Sequence, residues 1–210
     1  MVMGQKACIN NCSFCCQPAF FGAPVLRQRS VEHFLSELKW VQQLGFREVM
    51  FNDATLTADM EWATQLFEGM IRNNIDLTWN CSTRAERVSQ DILKLMKRAG
   101  CHTIALGMES VDKTVLRNIR KNIEPEQIRK SVSMIRKQGI DTILFCVVGF
   151  PGETKESIEN TISFLKTLNT TFITLGIAVP VPGTDFYRYV EENNYLLTKD
   201  WSLYDPMKKP

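Results

Sequence analysis

Apolar residues recur along this chain in two alternating rhythms, three-to-four-residue steps and short continuous runs, separated by Gly, Pro or Asn. Residues 31–44 carry the first helical rhythm, with Phe34, Leu35, Leu38 and Val41 on one face, Ser30 ahead as a cap and Gly45 behind as a stop. Residues 48–51 then predict a short strand. The pair repeats as a helix over about 59–73 before a strand at 77–81, and a helix over about 89–99, stopped by Gly100, before a strand at 103–106. Residues 111–119 and 125–138 predict a divided helical segment, with Pro125 where a first turn tolerates proline and Gly139 as its stop. Residues 142–148 form a near-continuous apolar run, the pattern of a parallel strand covered on both faces. Helix 155–168, strand 172–179 and helix 186–193 complete the series.

With residues 2–7 counted as a first strand, the chain holds six strand-and-helix units of about 35 residues each. Strict alternation argues for a parallel sheet with right-handed crossovers. Six units are two short of a closed eight-fold barrel, so a doubly wound open sheet and an incomplete barrel both fit the periodicity. In either architecture ligands collect at the carboxyl ends of the strands. The unusual segments fall there: residues 8–16, Asn52-Asp53-Ala54-Thr55, Ser82-Thr83-Arg84, Gly107-Met108-Glu109-Ser110, and residues 149–153 and 180–184.

Composition narrows the class. A length of 210 residues with 44% apolar content suits one domain, made of a cysteine loop at 8–16, repeating units to about 194, and a tail at 195–210 carrying Lys208 and Lys209. A net charge of +2 argues against a nucleic-acid footprint. The longest apolar stretch, 142–150, is far short of the roughly 20 residues of a membrane span, and there is no basic start followed by an apolar signal core. A cytoplasmic protein without a membrane span is expected. The seven cysteines are odd in number and four lie within nine residues, which suits thiols kept reduced for a metal better than a disulfide frame. Cys8, Cys12 and Cys15 stand as Cys-x3-Cys-x2-Cys. Structural zinc and ordinary [4Fe-4S] carriers use four ligands, so three crowded thiolates would leave one iron of a cubane open to an outside ligand. The competing arrangement is a closed four-ligand site in a non-catalytic iron-sulfur or zinc electron-transfer protein, with Cys16 or a distant thiol as fourth ligand. Cys81, Cys101 and Cys146, on or beside strands, read as inert buried thiols, and His33 and His102 as isolated side chains.

The triplet, with Phe14 just before its third cysteine, resembles the radical S-adenosylmethionine (radical SAM) signature. Further segments agree. Phe51-Asn52-Asp53-Ala54-Thr55-Leu56-Thr57 resembles the post-strand motif of the branch that often carries a cobalamin-binding domain. Ala99-Gly100-Cys101 leading to Gly107-Met108-Glu109-Ser110, then Val115-Leu116 and Lys121, is similar to that branch's fourth strand and following helix. Gly149-Phe150-Pro151-Gly152-Glu153-Thr154 and Pro182-Gly183-Thr184 resemble its fifth and sixth strand ends. Two departures stand out: Ala7 where Gly is common before the first cysteine, and Asn52-Asp53-Ala54-Thr55 where a Gly-Gly-Glu-Pro type of motif is usual.

The resemblance covers nearly the whole chain and implies a partial (β/α)6 TIM-like barrel with a [4Fe-4S] cluster on Cys8, Cys12 and Cys15. S-adenosylmethionine would chelate the fourth iron and be cleaved reductively to methionine and a 5'-deoxyadenosyl radical that abstracts hydrogen, for methyl transfer or ring formation. Cobalamin enters only through a domain absent from this chain. The implied partners are a reduced donor of flavodoxin or ferredoxin type and a small-molecule substrate. Asn52, Asp53 and Thr55 are expected to accept hydrogen bonds from the methionine ammonium, with helix capping the alternative for Thr55. Glu109 is expected at the ribose hydroxyls, and Arg84 and Lys121 at the methionine carboxylate, with surface ion pairs as their alternative. Gly149 and Pro151 would bring backbone close to the adenosine, Ala178 and Val179 would lie beside the adenine, and Phe14 would pack against cluster or adenine.

Overall fold

The computed structural model describes residues 1–22 and 25–204, so Pro24 and the expected Lys208-Lys209 tail lie outside it. In chain order the elements are β1 (Gln5–Lys6), α1 (Cys16–Phe21), β2 (Arg27–Gln28), α2 (Val31–Gln43), β3 (Glu48–Phe51), α3 (Met60–Arg72), β4 (Thr78–Thr83), α4 (Gln90–Arg98), β5 (Cys101–Glu109), α5 (Lys113–Asn118), α6 (Pro125–Lys137), β6 (Asp141–Val148), α7 (Lys155–Lys166), β7 (Phe172–Ile177) and α8 (Asp185–Glu192). Local chemistry sets the boundaries. Ser30, Asp59 and Ser89 accept from the backbone N–H of His33, Trp62 and Ile92 at the starts of α2, α3 and α4, satisfying donors that have no partner inside the helix. Gly45, Gly100 and Gly139 follow α2, α4 and α6 with φ of 90°, 100° and 66°, the left-handed turn that ends a helix.

Strands β3 to β7 form one parallel sheet in the order β3-β4-β5-β6-β7. The order follows the chain without reversal, as in a barrel wall, whereas a doubly wound sheet reverses at a switch point. The expected first strand at 2–7 is reduced: Val2 makes an isolated parallel bridge to Phe51, and β1 turns away to pair antiparallel with β2. The sixth position of the wall is held by that single bridge, through Val2 N–H to the Met50 carbonyl (2.9 Å) and Asn52 N–H to the Val2 carbonyl (2.8 Å).

Burial alternates along β3, β4 and most of β6. Val49, Phe51, Trp79, Cys81, Leu144 and Cys146 are buried, while their neighbours Met50, Asn80 and Phe145 are exposed or half-buried. This corrects the expectation that strand 142–148 is covered on both faces, since Phe145 keeps 40% of its surface. Crossovers of one hand in a sheet of unreversed order place the helices on one side, which leaves the other face as an open lumen. The covered face is an aromatic slab. Trp79 stacks between Phe51 (centroids 4.7 Å apart, planes at 11°) and Phe67 (5.3 Å, 18°), and its indole N–H donates to the Ala99 carbonyl at 2.7 Å. The slab fixes where β3 and β4 end, and so where their terminal residues point.

Gly100 and Gly45 separate two costs of a side chain in the left-handed region. A Cβ at Gly45 meets nothing within 4 Å, whereas one at Gly100 would collide with the Leu77 carbonyl at the entry to β4. Gly45→Ala should cost about 1–2 kcal/mol from backbone strain alone. Gly100→Ala should cost about 1–3 kcal/mol more. Urea unfolding of both variants checks the difference, and equal losses would show that the turn after α4 yields without disturbing β4.

Candidate active site

The cysteine loop leaves β1 through Ala7, whose φ of 68° turns the chain sharply toward the carboxyl ends of the strands. Asp53 anchors its start. The carboxylate accepts from Gln5 N–H (Oδ1, 2.5 Å) and Gly4 N–H (Oδ2, 3.4 Å), while Gln5 Nε2 donates to the Leu56 carbonyl at 3.1 Å. The middle of the loop is clamped at Ser13, whose N–H donates to the Ile119 carbonyl (3.0 Å) and whose carbonyl accepts from Phe186 N–H at the start of α8 (2.9 Å). Phe14 lies 5.0 Å from Phe150, which in turn lies 5.7 Å from Phe186. The loop therefore rests on an aromatic plug, and Phe14 belongs to it. Cys15 is the N-cap residue of α1, and its N–H donates to the Cys12 carbonyl at 3.1 Å, closing the last turn of the loop.

Cys8, Cys12 and Cys15 are half-buried free thiols and Cys16 is exposed. Cys8 Sγ receives Asn10 N–H (3.5 Å) and Asn10 Nδ2 (3.3 Å), and lies 3.7 Å from Thr55 Oγ1. Arg84 Nη1 lies 3.8 Å from Cys12 Sγ. The Cys15 thiol is pushed up to about 11, chiefly by burial and further by the neighbouring thiols, against a lowering hydrogen bond from the Gln17 backbone. Among the described residues no three His, Cys, Asp or Glu side chains converge closely enough to hold a single metal ion. A four-iron cubane gives each thiolate its own iron and asks for a looser triangle. The donor set, three soft thiols on one clamped loop, fits such a cluster.

Around the loop, several expected residues have changed partners. The Asp53 carboxylate accepts from two N–H groups of the segment around β1, and burial pushes its pKa up to about 6. Thr55 is buried and donates to the Ala54 carbonyl at 2.9 Å; the cap of α3 is Asp59, so Thr55 does not cap a helix. Asn52 is exposed at the end of β3. Arg84 donates to Glu86 and lies against Cys12 Sγ. Glu109 and Lys121 form a buried ion pair at 2.6 Å, with side chains 7% and 6% exposed, which excludes the surface-bridge alternative for Lys121. Glu109 sits at φ 63°, a strained backbone for a non-glycine residue. A Cβ on Gly107 would come within 2.5 Å of Lys121 Nζ and 2.6 Å of Glu109 Oε1, so the bare glycine makes room for the pair.

Gly149 (φ 97°) and Gly152 (φ 83°) bracket Phe150 and Pro151 in the turn after β6, and Asn118 Nδ2 donates to the Pro151 carbonyl at 2.8 Å. Ala178 N–H extends the pairing of β7 through the Val148 carbonyl at 2.7 Å. Gly149, Pro151, Ala178 and Val179 line a cavity of about 680 Å³ together with Tyr189 and Tyr204, a size suited to a small ligand. Cys81, Cys101 and Cys146 are buried, as expected of inert thiols, and burial pushes Cys146 up to about 12. His33 is exposed, and His102 hydrogen-bonds Glu48 at 3.1 Å near the opposite ends of the strands. Sequence reasoning missed Asn10 and Ser13, and placed Gly107 in its motif without a role. Asn10 carried a signal, a polar side chain two residues after a cysteine of the triplet; Ser13 acts through a contact 105 residues away that no local pattern encodes, and Gly107 makes room for the distant Lys121 as well as for Glu109 in its own motif.

The family model of the radical SAM superfamily matches residues 2–165. The chain is 35% identical over 213 residues to an uncharacterized methyltransferase of Pyrococcus horikoshii, covering 100% of this chain and 46% of that protein. It is 25% identical over 209 residues to bacteriochlorophyllide d C-12(1)-methyltransferase of Chlorobaculum tepidum, covering 97% and 45%. The chain thus spans less than half the length of these relatives. In fold it matches TsrM of Kitasatospora setae, a radical S-adenosylmethionine methyltransferase solved with cobalamin and a [4Fe-4S] cluster bound. The TM-score is 0.83 at 18% identity, covering 91% of this chain and 39% of that one.

Two stability measurements probe the groups around the loop. Lys121→Met leaves Glu109 buried without a partner and should destabilise the chain by about 3–5 kcal/mol, with much of the loss recovered in Glu109→Gln/Lys121→Met. Thermal unfolding of the four members of the cycle checks this, and additive losses would remove the coupling. For Asp53, the folded pKa of about 6 lies above the ordinary aspartate value of 3.8, so the folded chain keeps a proton that the unfolded chain releases. The associated stability is fully present below pH 3.8 and is lost as pH rises through about 6. Relative to Asp53→Asn, the wild type should lose up to ~3 kcal/mol between pH 4 and 7; a difference in urea midpoints that stays flat with pH would show a carboxylate fully stabilised by the two N–H donors.

Proposed function

Because the chain belongs to the radical SAM superfamily, we propose that it is the catalytic barrel of an iron-sulfur enzyme whose three loop cysteines hold a [4Fe-4S] cluster open to S-adenosylmethionine. When bound, the cluster and S-adenosylmethionine supply reductive cleavage to methionine and a 5'-deoxyadenosyl radical, which takes hydrogen from a substrate. The observation that carries the reading is the clamped loop, which presents Cys8, Cys12 and Cys15 at the carboxyl ends of the strands and leaves Cys16 outside, exposed, as the first residue of α1.

The chain's own residues orient and shield. Asn52 and Thr55, at the end of β3, accept from the methionine ammonium, with Asp53 between them in sequence also holding the β1 segment. Lys121 exchanges Glu109 for the methionine carboxylate, and the released Glu109 turns to the ribose hydroxyls; their 2.6 Å pairing supports this, since each is the group the other would otherwise lack. Gly149 and Pro151 bring the backbone close to the adenosine, and Ala178 and Val179 offer small apolar surfaces beside a flat ring. The plug of Phe14, Phe150 and Phe186 excludes water behind the loop.

Methyl transfer is the reaction that the names of the two curated relatives favour, here to a small molecule, and the cobalamin bound in the TsrM structure supports a cobalamin-binding domain outside the span matched here. Ring formation uses the same radical. A reduced flavodoxin- or ferredoxin-type protein would deliver the electron, in a reducing compartment such as the cytoplasm. No helix of the described residues is long and apolar enough to cross a membrane.

Anaerobic reconstitution tests the reading. The chain should take up about four iron atoms, change its cluster spectrum on addition of S-adenosylmethionine and release 5'-deoxyadenosine with reductant. Cys8→Ala, Cys12→Ala and Cys15→Ala should each lose the cluster and Cys16→Ala should keep it. Loss of the cluster in Cys16→Ala with retention in Cys8→Ala would replace the open site with a closed, four-cysteine one.

A further inference from the structure

The three thiols do not receive equal help from the protein. Cys8 has the Asn10 backbone and side chain and the Thr55 hydroxyl around it, all within its own loop or the adjoining strand end. Cys15 draws on the Gln17 backbone. Cys12 alone, among the described residues, faces a formal positive charge: the guanidinium of Arg84, 72 positions away in the chain, with Nη1 3.8 Å from Sγ. That guanidinium is not a loose surface cation. Its side chain is 11% exposed, its Nε donates to Glu86, and it stands just beyond the end of β4 at the start of the 3-10 turn Ala85–Arg87. The fork is oriented by Glu86 on one edge and presents its other edge to sulfur.

We propose that Arg84 is a positioning residue for electron transfer: its guanidinium donates a hydrogen bond to the Cys12 thiolate and raises the reduction potential of the cluster held by Cys8, Cys12 and Cys15. The inference rests on the function proposed above. Reduction adds one electron to the cluster, and the electron density spreads onto its sulfur ligands. A fixed cationic donor stabilises that extra charge more than it stabilises the oxidised state, so the couple shifts upward. Arginine suits the task because it stays protonated at every working pH, so the effect does not vary with conditions. A charged donor at a mostly desolvated position also acts through a lower dielectric than one in water.

The test is an anaerobic redox titration of the reconstituted chain without S-adenosylmethionine, followed by the electron paramagnetic resonance signal of the reduced cluster. Arg84→Gln should lower the midpoint potential by the equivalent of about a tenfold smaller reduction equilibrium constant, ~59 mV for a one-electron couple. Arg84→Lys, which keeps the charge and loses the planar fork, should recover part of the shift. If Arg84→Gln does not hold a cluster, Arg84→Lys carries the test alone, and it supports the proposal by titrating below wild type. A four-iron variant that titrates at the wild-type potential overturns it; if such a variant instead binds S-adenosylmethionine more weakly, Arg84 serves the carboxylate after all. A wild-type chain that assembles no cluster overturns the underlying function, and the inference with it.

Discussion

The hydrogen bonds from Gly4 and Gln5 to the Asp53 carboxylate are the contact on which the site depends. They tie the segment that leads into the cysteine loop to the end of β3, in a place where the sheet offers only the single Val2–Phe51 bridge. A two-residue strand such as β1 cannot hold a register by itself. Asp53 supplies what the missing ladder would have supplied, two acceptors aimed at consecutive backbone donors, and the cost is a carboxylate taken almost wholly out of water. Gln5, whose Nε2 reaches the Leu56 carbonyl, is the second stitch, and its Oε1 is left buried without a partner. A loop held at its start by these contacts and at its middle by Ser13 can keep three thiols in one place without a metal drawing them together.

The same wall is finished unequally at its two edges. At β3 the bridge through Val2 and the antiparallel pair β1-β2 cover the approach. At β7, Phe172, Ile173, Leu175 and Ile177 all stay exposed, from 46% to 69%. The wall is thus well packed where the thiols enter and open where the cavity beside Gly149 and Ala178 lies. That distribution follows from the helices: α2, α3 and α4 pack against one another behind β3 to β5, with the Trp79 slab between, whereas α8 begins against the cysteine loop at Ser13 instead of lying along β7.

Much of this was readable from residues. The helical rhythm over 31–44, with Ser30 before it and Gly45 after it, becomes α2 to within a residue, because cap and stop are side-chain and backbone properties of single positions. The cysteine spacing suggested an open coordination site and left the metal unsettled; the cluster came from the resemblance carried by the further strand-end motifs. What escaped depends on distance along the chain. Asp53 reads as a candidate ligand in its motif, yet its partners are 48 and 49 positions away. Thr55 and Asp59 both look like caps, and only the fold chooses Asp59. The pair β1-β2 escaped because two-residue strands have no period to detect, and α1 because it buries no residue and has no side-chain cap.

Nearly every charged group near the loop already has a partner. Glu109 has Lys121, Arg84 has Glu86 and Cys12, and Asp53 has two peptide N–H groups. This is what a desolvated site requires, since an uncompensated charge there would cost several kcal/mol and unfold or rearrange the strand ends. It also means that a charged ligand arrives as a substitute. On the proposed binding mode Lys121 would pass from Glu109 to the ligand's carboxylate, the ammonium would meet Asn52 and Thr55, and Glu109 would need the ribose hydroxyls as new donors. A ligand that offers a carboxylate without those hydroxyls would leave Glu109 stranded beside Gly107, and the strained backbone of Glu109 holds that residue close to where the exchange would occur.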